Sequence, residues 1–406
     1  MIAGAALLGV GAGLDRLLAD TASDDAEKDA EGNVVSFYGS HQAGIATPQP
    51  DYLEFATFDI TSDSGDDLRA LLQEWTLAAA ALAEGMRVQS RSDEPDGAGA
   101  DPGETIGVGP NRLTVTVGFG PSIFGSVRKG RFGLDVSLRP SSLLPLPAFE
   151  GENLEPARSG GDLCVQACAD DPLVAFHAIH VLTRIANGVA TLRWSQQGFG
   201  RTSATSRDQP TVRNLMGFKD GTNNLRVDEE REMDEYIWVQ PGDGPKWMAG
   251  GTYLVARRIQ MLLDVWDTTT IDGQERAVGR EKVSGAPLGQ ENEHDAVDLG
   301  ARKHGELSIP ADAHIRLASP KLNGGQRILR RGFSYNEPSL AGSGQLDAGL
   351  FFICFQRDPQ RQFVPIQRHL AANDALGHHL LHTGSGVFAC PPGAQPGGFI
   401  GEGLFA

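Results

Sequence analysis

Three short segments carry residue types that could do chemistry together. Gly217-Phe-Lys-Asp-Gly-Thr222 presents a carboxylate, Asp220, between two glycines. Ala313-His-Ile-Arg316 offers the imidazole of His314, and Ile328-Leu-Arg-Arg-Gly-Phe333 offers two guanidinium groups. A carboxylate can carry a proton, a neutral imidazole can bind a metal ion, and a guanidinium stays charged at any working pH. Together these segments predict proton transfer and charge stabilisation beside a bound metal.

Each segment also has an ordinary structural interpretation. Asp220-Gly221 favours a hairpin turn. In the functional interpretation, glycines without a Cβ let the backbone approach a flat ligand, and Asp220 projects between them. This interpretation makes cofactor-binding candidates of Gly217, Phe218, Gly221 and Thr222.

The functional interpretation requires a carboxylate partner for His314 and an arginine side chain that faces the same pocket. A single histidine such as His314 is more often structural than a ligand, and a metal-binding histidine usually donates its other N–H to a carboxylate. Asp374 is a candidate for that carboxylate. Strand alternation places Arg330 and Arg331 on opposite faces, so only one of them can face a pocket.

A local histidine cluster and four cysteines offer further candidate ligands. His378 and His382 are spaced for one face of a helix, with His379 between them, and a solvated helix end is preferred there over a metal site. The cysteines lack metal-type spacing, so they indicate neither a cysteine zinc site nor a disulfide scaffold.

Composition narrows the class of partner. The chain has 406 residues, 40% of them hydrophobic and 21% charged, with a formal net charge of −17. Such a negative charge disfavours binding to nucleic acid phosphates and to anionic membrane surfaces. We expect a globular protein, without stable membrane insertion, that acts on small or cationic partners.

The N-terminus differs from the rest of the chain. Residues 1–13 are apolar and rich in small residues, and an acidic run follows from Asp20 to Glu31. Thirteen residues are too few to span a bilayer as a helix, and no basic segment or Arg-Arg pair precedes them. Residues 1–43 are interpreted as the remainder of an export signal plus an acidic segment. The alternative is an ordinary Ala/Gly-rich terminus.

Four segments repeat the pattern of a strand followed by an amphipathic helix. Strands are expected at 53–60, 162–169, 251–261 and 349–356, and the helices that follow them at 66–84, 172–187, 262–266 and 359–372. This recurrence predicts an α+β protein with two similar halves, 44–215 and 216–406, each an antiparallel sheet with helices on one face.

At this level the chain resembles the dye-decolorizing peroxidase family, in its secreted, deferrochelatase-like branch. The resemblance runs from about Gly44 to the C-terminus. It is carried by Asn214-Leu-Met-Gly-Phe-Lys-Asp-Gly-Thr222, Gly250-Gly-Thr-Tyr-Leu-Val-Ala-Arg-Arg-Ile259, Gly285-Ala-Pro-Leu288, Ala313-His-Ile-Arg316, Leu329-Arg-Arg-Gly-Phe-Ser-Tyr335 and Gly349-Leu-Phe-Phe-Ile353. It implies two ferredoxin-like modules with haem b in the C-terminal half.

The resemblance also implies roles for single residues. Asp220 matches the family's distal aspartate, His314 the proximal iron ligand, and Arg330 the distal arginine, with Arg331 as the fallback. Asp374 aligns with the acidic partner of the proximal histidine. The expected activity is oxidation of dyes, phenols and other bulky reductants by hydrogen peroxide. The alternative is a secreted haem-binding protein, a deferrochelatase, that releases iron for uptake with partner proteins. Export by the twin-arginine route is expected.

Overall fold

The structure, a computed structural model, describes residues 33–88, 101–125, 130–205, 209–338 and 344–406. The export-signal prediction for residues 1–32 therefore lies outside the described residues. The α-helices in the described part are α1 Gly65–Ala83, α2 Pro172–Ile185, α3 Glu230–Tyr236, α4 Leu263–Thr268, α5 Ile271–Val278, α6 His314–Leu317 and α7 Phe363–Asn373. No helix among these residues is long and apolar enough to cross a membrane.

The strands of the described residues alternate with these helices. They are β1 Tyr52–Ile60, β2 Thr114–Phe119, β3 Leu163–Ala169, β4 Ala190–Arg201, β5 Val212–Arg213, β6 Lys219–Asp220, β7 Thr252–Met261, β8 Arg302–Lys303, β9 Glu306–Leu307, β10 Leu329–Arg330, β11 Phe333–Glu337, β12 Asp347–Gln356 and β13 Leu380–Cys390.

The two halves have the same sheet topology. In the first half the strands lie in the order β4-β1-β3-β2, and in the second half in the order β13-β7-β12-β11. All these pairings are antiparallel, and each half follows the chain order strand, helix, strand, strand, helix, strand. The prediction of two ferredoxin-like α+β modules is confirmed.

The two sheets join into one ring rather than standing apart. The edge strand β2 pairs with β13 through Phe119 and Ala389, and β4 pairs with β11 through Arg201 and Phe333. Each module thus covers the other's free strand edges, which would otherwise present unpaired N–H and C=O groups. The sequence pattern showed two sheets but not their union.

Helix starts follow from the local sequence. Ser64 caps α1 by accepting a hydrogen bond from the N–H of Asp67 at 3.2 Å. Asp171 caps α2, and Pro172 occupies the first helical position, where its missing N–H costs nothing. Both helices pack on the first half's sheet in one large apolar cluster that includes Phe58, Trp75 and Leu182.

The inside of the ring is a second apolar cluster. It is built from inward-facing side chains of both modules, among them Phe55, Trp194, Phe333, Phe351 and Phe388. The ring is therefore filled by side chains. Of the site residues discussed below, Arg330 lies on the short strand β10, which pairs with β12, and Asp220, His314 and Asp374 lie on connections between the main strands.

Two helix predictions need correction. The helix after β12 begins at Phe363 rather than at residue 359, because the Asp358 carboxylate accepts hydrogen bonds from the N–H groups of Gln360 and Arg361 in a turn. His378 and His382 do not share a helix. His378 lies in a 3₁₀ turn that ends at His379, and His382 lies on β13, so the expected one-turn spacing is wrong.

Candidate active site

The segment that carries Asp220 is a small hairpin. Strands β5 and β6 pair, with Val212 opposite Asp220. The Asn214 side chain closes the loop by accepting hydrogen bonds from the N–H groups of Met216 and Phe218 at 3.1 and 3.3 Å. Gly217 adopts φ +84°, a conformation that side chains with a Cβ rarely take. The hairpin loop is thus formed by residues 214–218, and Asp220 lies on β6, so the hairpin turn expected at Asp220-Gly221 is wrong.

Gly221 has a steric role that the sequence did not indicate. Its φ is +90°, and an added Cβ would lie 2.9 Å from the backbone of Ser203 and Ala204. The close approach shown at this glycine is to the protein's own chain. Contact of Gly217 or Gly221 with a cofactor stays a prediction.

Asp220 is held by a charged hydrogen bond from Arg330. One nitrogen of the Arg330 guanidinium donates to Asp220 Oδ1 at 2.6 Å, and Asn214 Nδ2 donates to Asp220 Oδ2 at 3.3 Å. Both charged side chains are only partly buried, with 15% of the Asp220 and 27% of the Arg330 side chain exposed. An accessible acid–cation pair of this kind suits proton transfer next to developing negative charge.

Sequence reasoning missed the residue that connects these two groups. The Asn224 side chain accepts from the N–H of Arg330 at 2.8 Å and donates to the carbonyl of Arg330 at 2.9 Å. This amide fixes the backbone of Arg330 against the turn that follows Asp220. The available signal was its place at the end of the Asp220 segment, but no spacing rule predicts a bond to a residue 106 positions away.

Arg331 points in the opposite direction, as strand alternation predicts. Its side chain is fully buried and donates to the carbonyl of Thr47, while Nε and one terminal nitrogen have no hydrogen-bond partner in the part of the chain that the structure describes. Burial lowers the pKa of Arg331 to about 10. Of the two arginines, Arg330 contacts Asp220, so the fallback assignment to Arg331 is not supported by the geometry.

The imidazole of His314 has the carboxylate partner that the sequence suggested. His314 is the first residue of α6, and its Nδ1 lies 2.6 Å from Asp374 Oδ2. Asp374 is almost completely buried, and its other oxygen accepts from the N–H of Leu376 at 2.9 Å, capping a 3₁₀ turn. The carboxylate is therefore fixed on both sides, and it orients the ring.

The electrostatics of His314 link the two parts of the site. Burial lowers the pKa of His314, but the charge and hydrogen bond of Asp374 raise it by more, so the net shift is upward. The charges of Asp220 and Arg330 act on the same imidazole, in opposite directions. These four groups therefore share one electrostatic environment.

The His314 ring is placed to bind a metal ion. Nδ1 is engaged by Asp374, no described residue hydrogen-bonds Nε2, and 32% of the side chain is exposed. A carboxylate on one ring nitrogen with the other nitrogen available is the usual arrangement of a metal-binding histidine. The donor set thus fits the proximal ligand of a haem iron.

The remaining cofactor-binding candidates lie in different surroundings. Phe218 is buried in a small apolar cluster, with its ring edge-on to Trp266 at 5.9 Å. Thr222 donates to Glu293 at 3.1 Å and lines a cavity of about 270 Å³. Burial raises the pKa of Glu293, but hydrogen bonds from Lys219, Thr222 and a neighbouring threonine lower it by more. Cofactor contact of Phe218 and Thr222 stays a prediction.

The fold and the site together define a class: paired ferredoxin-like modules carrying a carboxylate-supported histidine and an aspartate–arginine pair. Comparison with known proteins agrees. The N-terminal model of the Dyp-type peroxidase family matches residues 42–200, and the C-terminal model matches residues 211–395. The chain therefore belongs to the Dyp-type peroxidase family, a haem-associated family of oxidoreductases.

Individual relatives support this assignment. A dye-decolorizing peroxidase of Thermobifida fusca (strain YX) is 40% identical over 375 residues, covering 89% of this chain and 83% of that protein. A deferrochelatase of Escherichia coli (strain K12) is 34% identical over 372 residues, covering 90% and 86%. The structure of ferric DtpA from Streptomyces lividans superimposes with a TM-score of 0.83 at 41% identity, covering 92% and 97%. The predicted family and peroxidase class are confirmed.

Proposed function

We propose that this protein binds haem b through His314 and uses hydrogen peroxide to oxidise dyes, phenols and other bulky reductants. The observation that carries the proposal is that Asp374 and the Asp220–Arg330 pair act on one imidazole. Asp374 holds His314 from one side, while the charges of Asp220 and Arg330 reach it as well. Haem, when bound, supplies the iron that takes up peroxide and accepts its two oxidising equivalents.

His314 and Asp374 hold and tune the iron. With Nδ1–H donated to Asp374, the lone pair of His314 lies on Nε2, the nitrogen that would bind the metal. The buried carboxylate makes the imidazole a stronger electron donor, which favours oxidised iron over reduced iron. Both effects depend on Asp374 keeping its negative charge.

Asp220 moves the proton of the peroxide. Its carboxylate accepts a proton from hydrogen peroxide and returns it to the departing oxygen, which leaves as water. Arg330 stabilises the negative charge that develops on that oxygen. Because Arg330 also donates to Asp220 at 2.6 Å, it positions the carboxylate as well as supplying charge.

The test compares three variants of the haem-loaded enzyme. His314→Ala is expected to lose or weaken haem binding, which the haem absorption spectrum reports. In Asp220→Ala and Arg330→Leu we expect retained haem, with the reaction towards peroxide slowed by several powers of ten in at least one of them, measured by rapid mixing. Asp264→Ala, which removes an exposed helical carboxylate, is the matched control. Wild-type reaction rates in both distal variants would contradict the catalytic roles.

The pH dependence offers a second test. Carboxyl groups lose their proton at lower pH than imidazoles do, so an aspartate remains a proton acceptor in more acidic solution than a histidine would. We therefore expect an acidic optimum for dye oxidation. Full activity at pH 8 with none at pH 4 would argue against Asp220 as the proton carrier.

A second candidate function is the release of iron from haem for uptake. It is supported by the relationship to Escherichia coli deferrochelatase across 90% of this chain. In this case the haem-loaded protein should release iron without peroxide and leave the porphyrin intact. Iron release measured with a ferrous chelator, in parallel with dye oxidation, separates the two functions. Partner proteins of an iron-uptake system would be expected only in this second case.

We also propose that the protein acts outside the cytoplasm after twin-arginine export. The proposal rests on the apolar, small-residue composition of residues 1–13 and on the family branch. Cell fractionation of the natural producer, with an antibody against the chain, would test it. Recovery in the cytoplasmic fraction alone would contradict it.

A further inference from the structure

We propose that Asp101 and His177, with Glu104 orienting the histidine, bind a divalent transition-metal cation of the zinc type, at a site separate from the peroxidase centre. One ligand atom from each of these three residues lies within 4.8 Å of the other two. His177 belongs to α2, and the two carboxylates belong to the segment that packs against this helix. The site thus lies in the first module, whereas His314, Asp220 and Arg330 belong to the second half of the chain.

Glu104 orients the histidines of this cluster. Its Oε2 lies 2.6 Å from Nδ1 of His177, and its Oε1 lies 2.5 Å from Nδ1 of His180. The two histidines are three residues apart on α2, so both rings reach the same carboxylate.

The second nitrogen of His177 is the observation that points to a ligand. Its side chain is only 2% exposed, and Nε2 has no hydrogen-bond partner among the described residues. With the Nδ1 proton donated to Glu104, Nε2 carries a lone pair, and that lone pair faces Asp101 Oδ2 at 3.6 Å. Two acceptors facing each other in a buried place are unfavourable unless a cation lies between them.

The separation of these two atoms matches a shared metal ion. Zinc bonds to imidazole nitrogen and carboxylate oxygen are about 2.0–2.2 Å long, so two such ligands around one ion stand roughly 3.3–3.7 Å apart. The 3.6 Å between His177 Nε2 and Asp101 Oδ2 falls in this range. The imidazole favours a zinc-type ion over calcium or magnesium, which prefer oxygen ligands only.

Asp101 is itself rigidly placed. Its Oδ2 accepts from the N–H of Val88 at 2.9 Å, and its Oδ1 accepts from the N–H of Gly103 at 2.7 Å. These bonds orient the carboxylate towards His177 without a metal, as outer-shell bonds do around metal-binding side chains.

The alternative to a metal ion between His177 and Asp101 is a proton on His177 Nε2. An imidazolium would pair with Asp101, and the cluster would then be a structural bridge without metal affinity. The two solutions differ in zinc binding and in the position of zinc in a crystal.

The experiment uses the haem-loaded full chain, free of any affinity tag and stripped with a chelator. Titration calorimetry with zinc chloride is expected to show one strong site, and zinc is expected to raise the Tm. Glu104→Gln removes the charge but keeps the shape, and should weaken zinc binding about 10- to 100-fold. His304→Asn, in an exposed turn, is the matched histidine control and should bind zinc as wild type does.

A second measurement keeps the test independent of how well the variants fold. Anomalous scattering at the zinc edge, from crystals of the wild-type protein grown with zinc chloride, should place an ion between His177 Nε2 and Asp101 Oδ2. Absence of zinc there would overturn the proposal. Equal zinc affinity of wild type and Glu104→Gln would overturn it too.

Discussion

The substitution Asp374→Asn tests how the protein prepares His314 for iron. It removes one negative charge and leaves the size of the side chain almost unchanged. In the wild type, Asp374 accepts from His314 Nδ1 at 2.6 Å with one oxygen and from the N–H of Leu376 at 2.9 Å with the other. An asparagine has one oxygen only, so it cannot accept both bonds.

Either outcome of that conflict weakens the site. If the asparagine oxygen keeps the bond to Leu376, its NH₂ group faces His314 Nδ1 and drives the ring proton to Nε2, the nitrogen needed by the iron. If the oxygen turns to His314, the cap of the 3₁₀ turn is lost. We expect haem affinity to fall about 10- to 100-fold, which corresponds to about 1.4–2.7 kcal/mol.

The loss of the Asp374 charge should also change the pKa of His314 and the pH dependence of stability. Burial lowers the pKa of His314 and Asp374 reverses that effect, while Asp220 and Arg330 act in opposite directions. Without Asp374, the pKa of His314 should fall below its ordinary value. In the haem-free wild type, the raised pKa contributes stability below pH 6.5 that is lost as the pH rises through the folded-state pKa. The variant should lose that contribution, so the difference in stability should be larger at pH 5 than at pH 9.

The assays are haem transfer to an acceptor protein, the reduction potential of the bound iron, and the Tm of the haem-free protein at pH 5 and pH 9. A less basic ligand should raise the reduction potential. Asp312→Asn is the matched control, because its exposed side chain is two residues from His314 and carries the same charge. If the two variants have equal haem affinity and equal potential, Asp374 does not tune the ligand and the reasoning is refuted.

Three further predictions concern residues around the site and in the core. Gly221→Ala should lower the Tm and slow the peroxide reaction, because the new Cβ would lie 2.9 Å from neighbouring backbone. The control is Gly242→Ala, also at positive φ but with open space around the new Cβ, and it should lower the Tm without slowing the reaction. Burial raises the pKa of Glu54 to about 7. Protonated Glu54 therefore makes its whole contribution to the free energy of unfolding below pH 4.5, and that contribution is lost as the pH rises towards 7. Glu54→Gln should abolish this loss of about 3 kcal/mol, seen as a smaller difference in urea midpoint between pH 4.5 and pH 8. Arg331→Met should leave the peroxide reaction within a few-fold of wild type and be neutral or stabilising in thermal unfolding, because it removes a buried cation with two nitrogens that no described residue pairs. A loss of activity as large as that expected for Asp220→Ala or Arg330→Leu would show that Arg331 takes part in the reaction.

Local sequence was sufficient to predict several helices and strands and the types of residue at the candidate site. Periodicity predicted four of the strands, β1, β3, β7 and β12, and the helices that follow them, because a two-residue repeat and a 3.6-residue repeat each reflect one buried face. Alternation alone predicted that Arg330 and Arg331 point apart. The helix assumed for His378 and His382 was wrong, because a short polar run carries no reliable periodicity and the chain there turns into β13.

Tertiary structure decided what depends on contacts between distant parts of the chain. The joining of the two sheets into a ring rests on edge pairings such as Phe119 with Ala389, which no local pattern encodes. The choice of Arg330 over Arg331 rests on which strand face meets Asp220, and the placement of Arg330 rests on the Asn224 amide. The sequence by itself thus determined which acid, cation and imidazole were available. Only the folded chain determined their pairing, because hydrogen bonds and charges act over a few ångströms in space and not along the sequence.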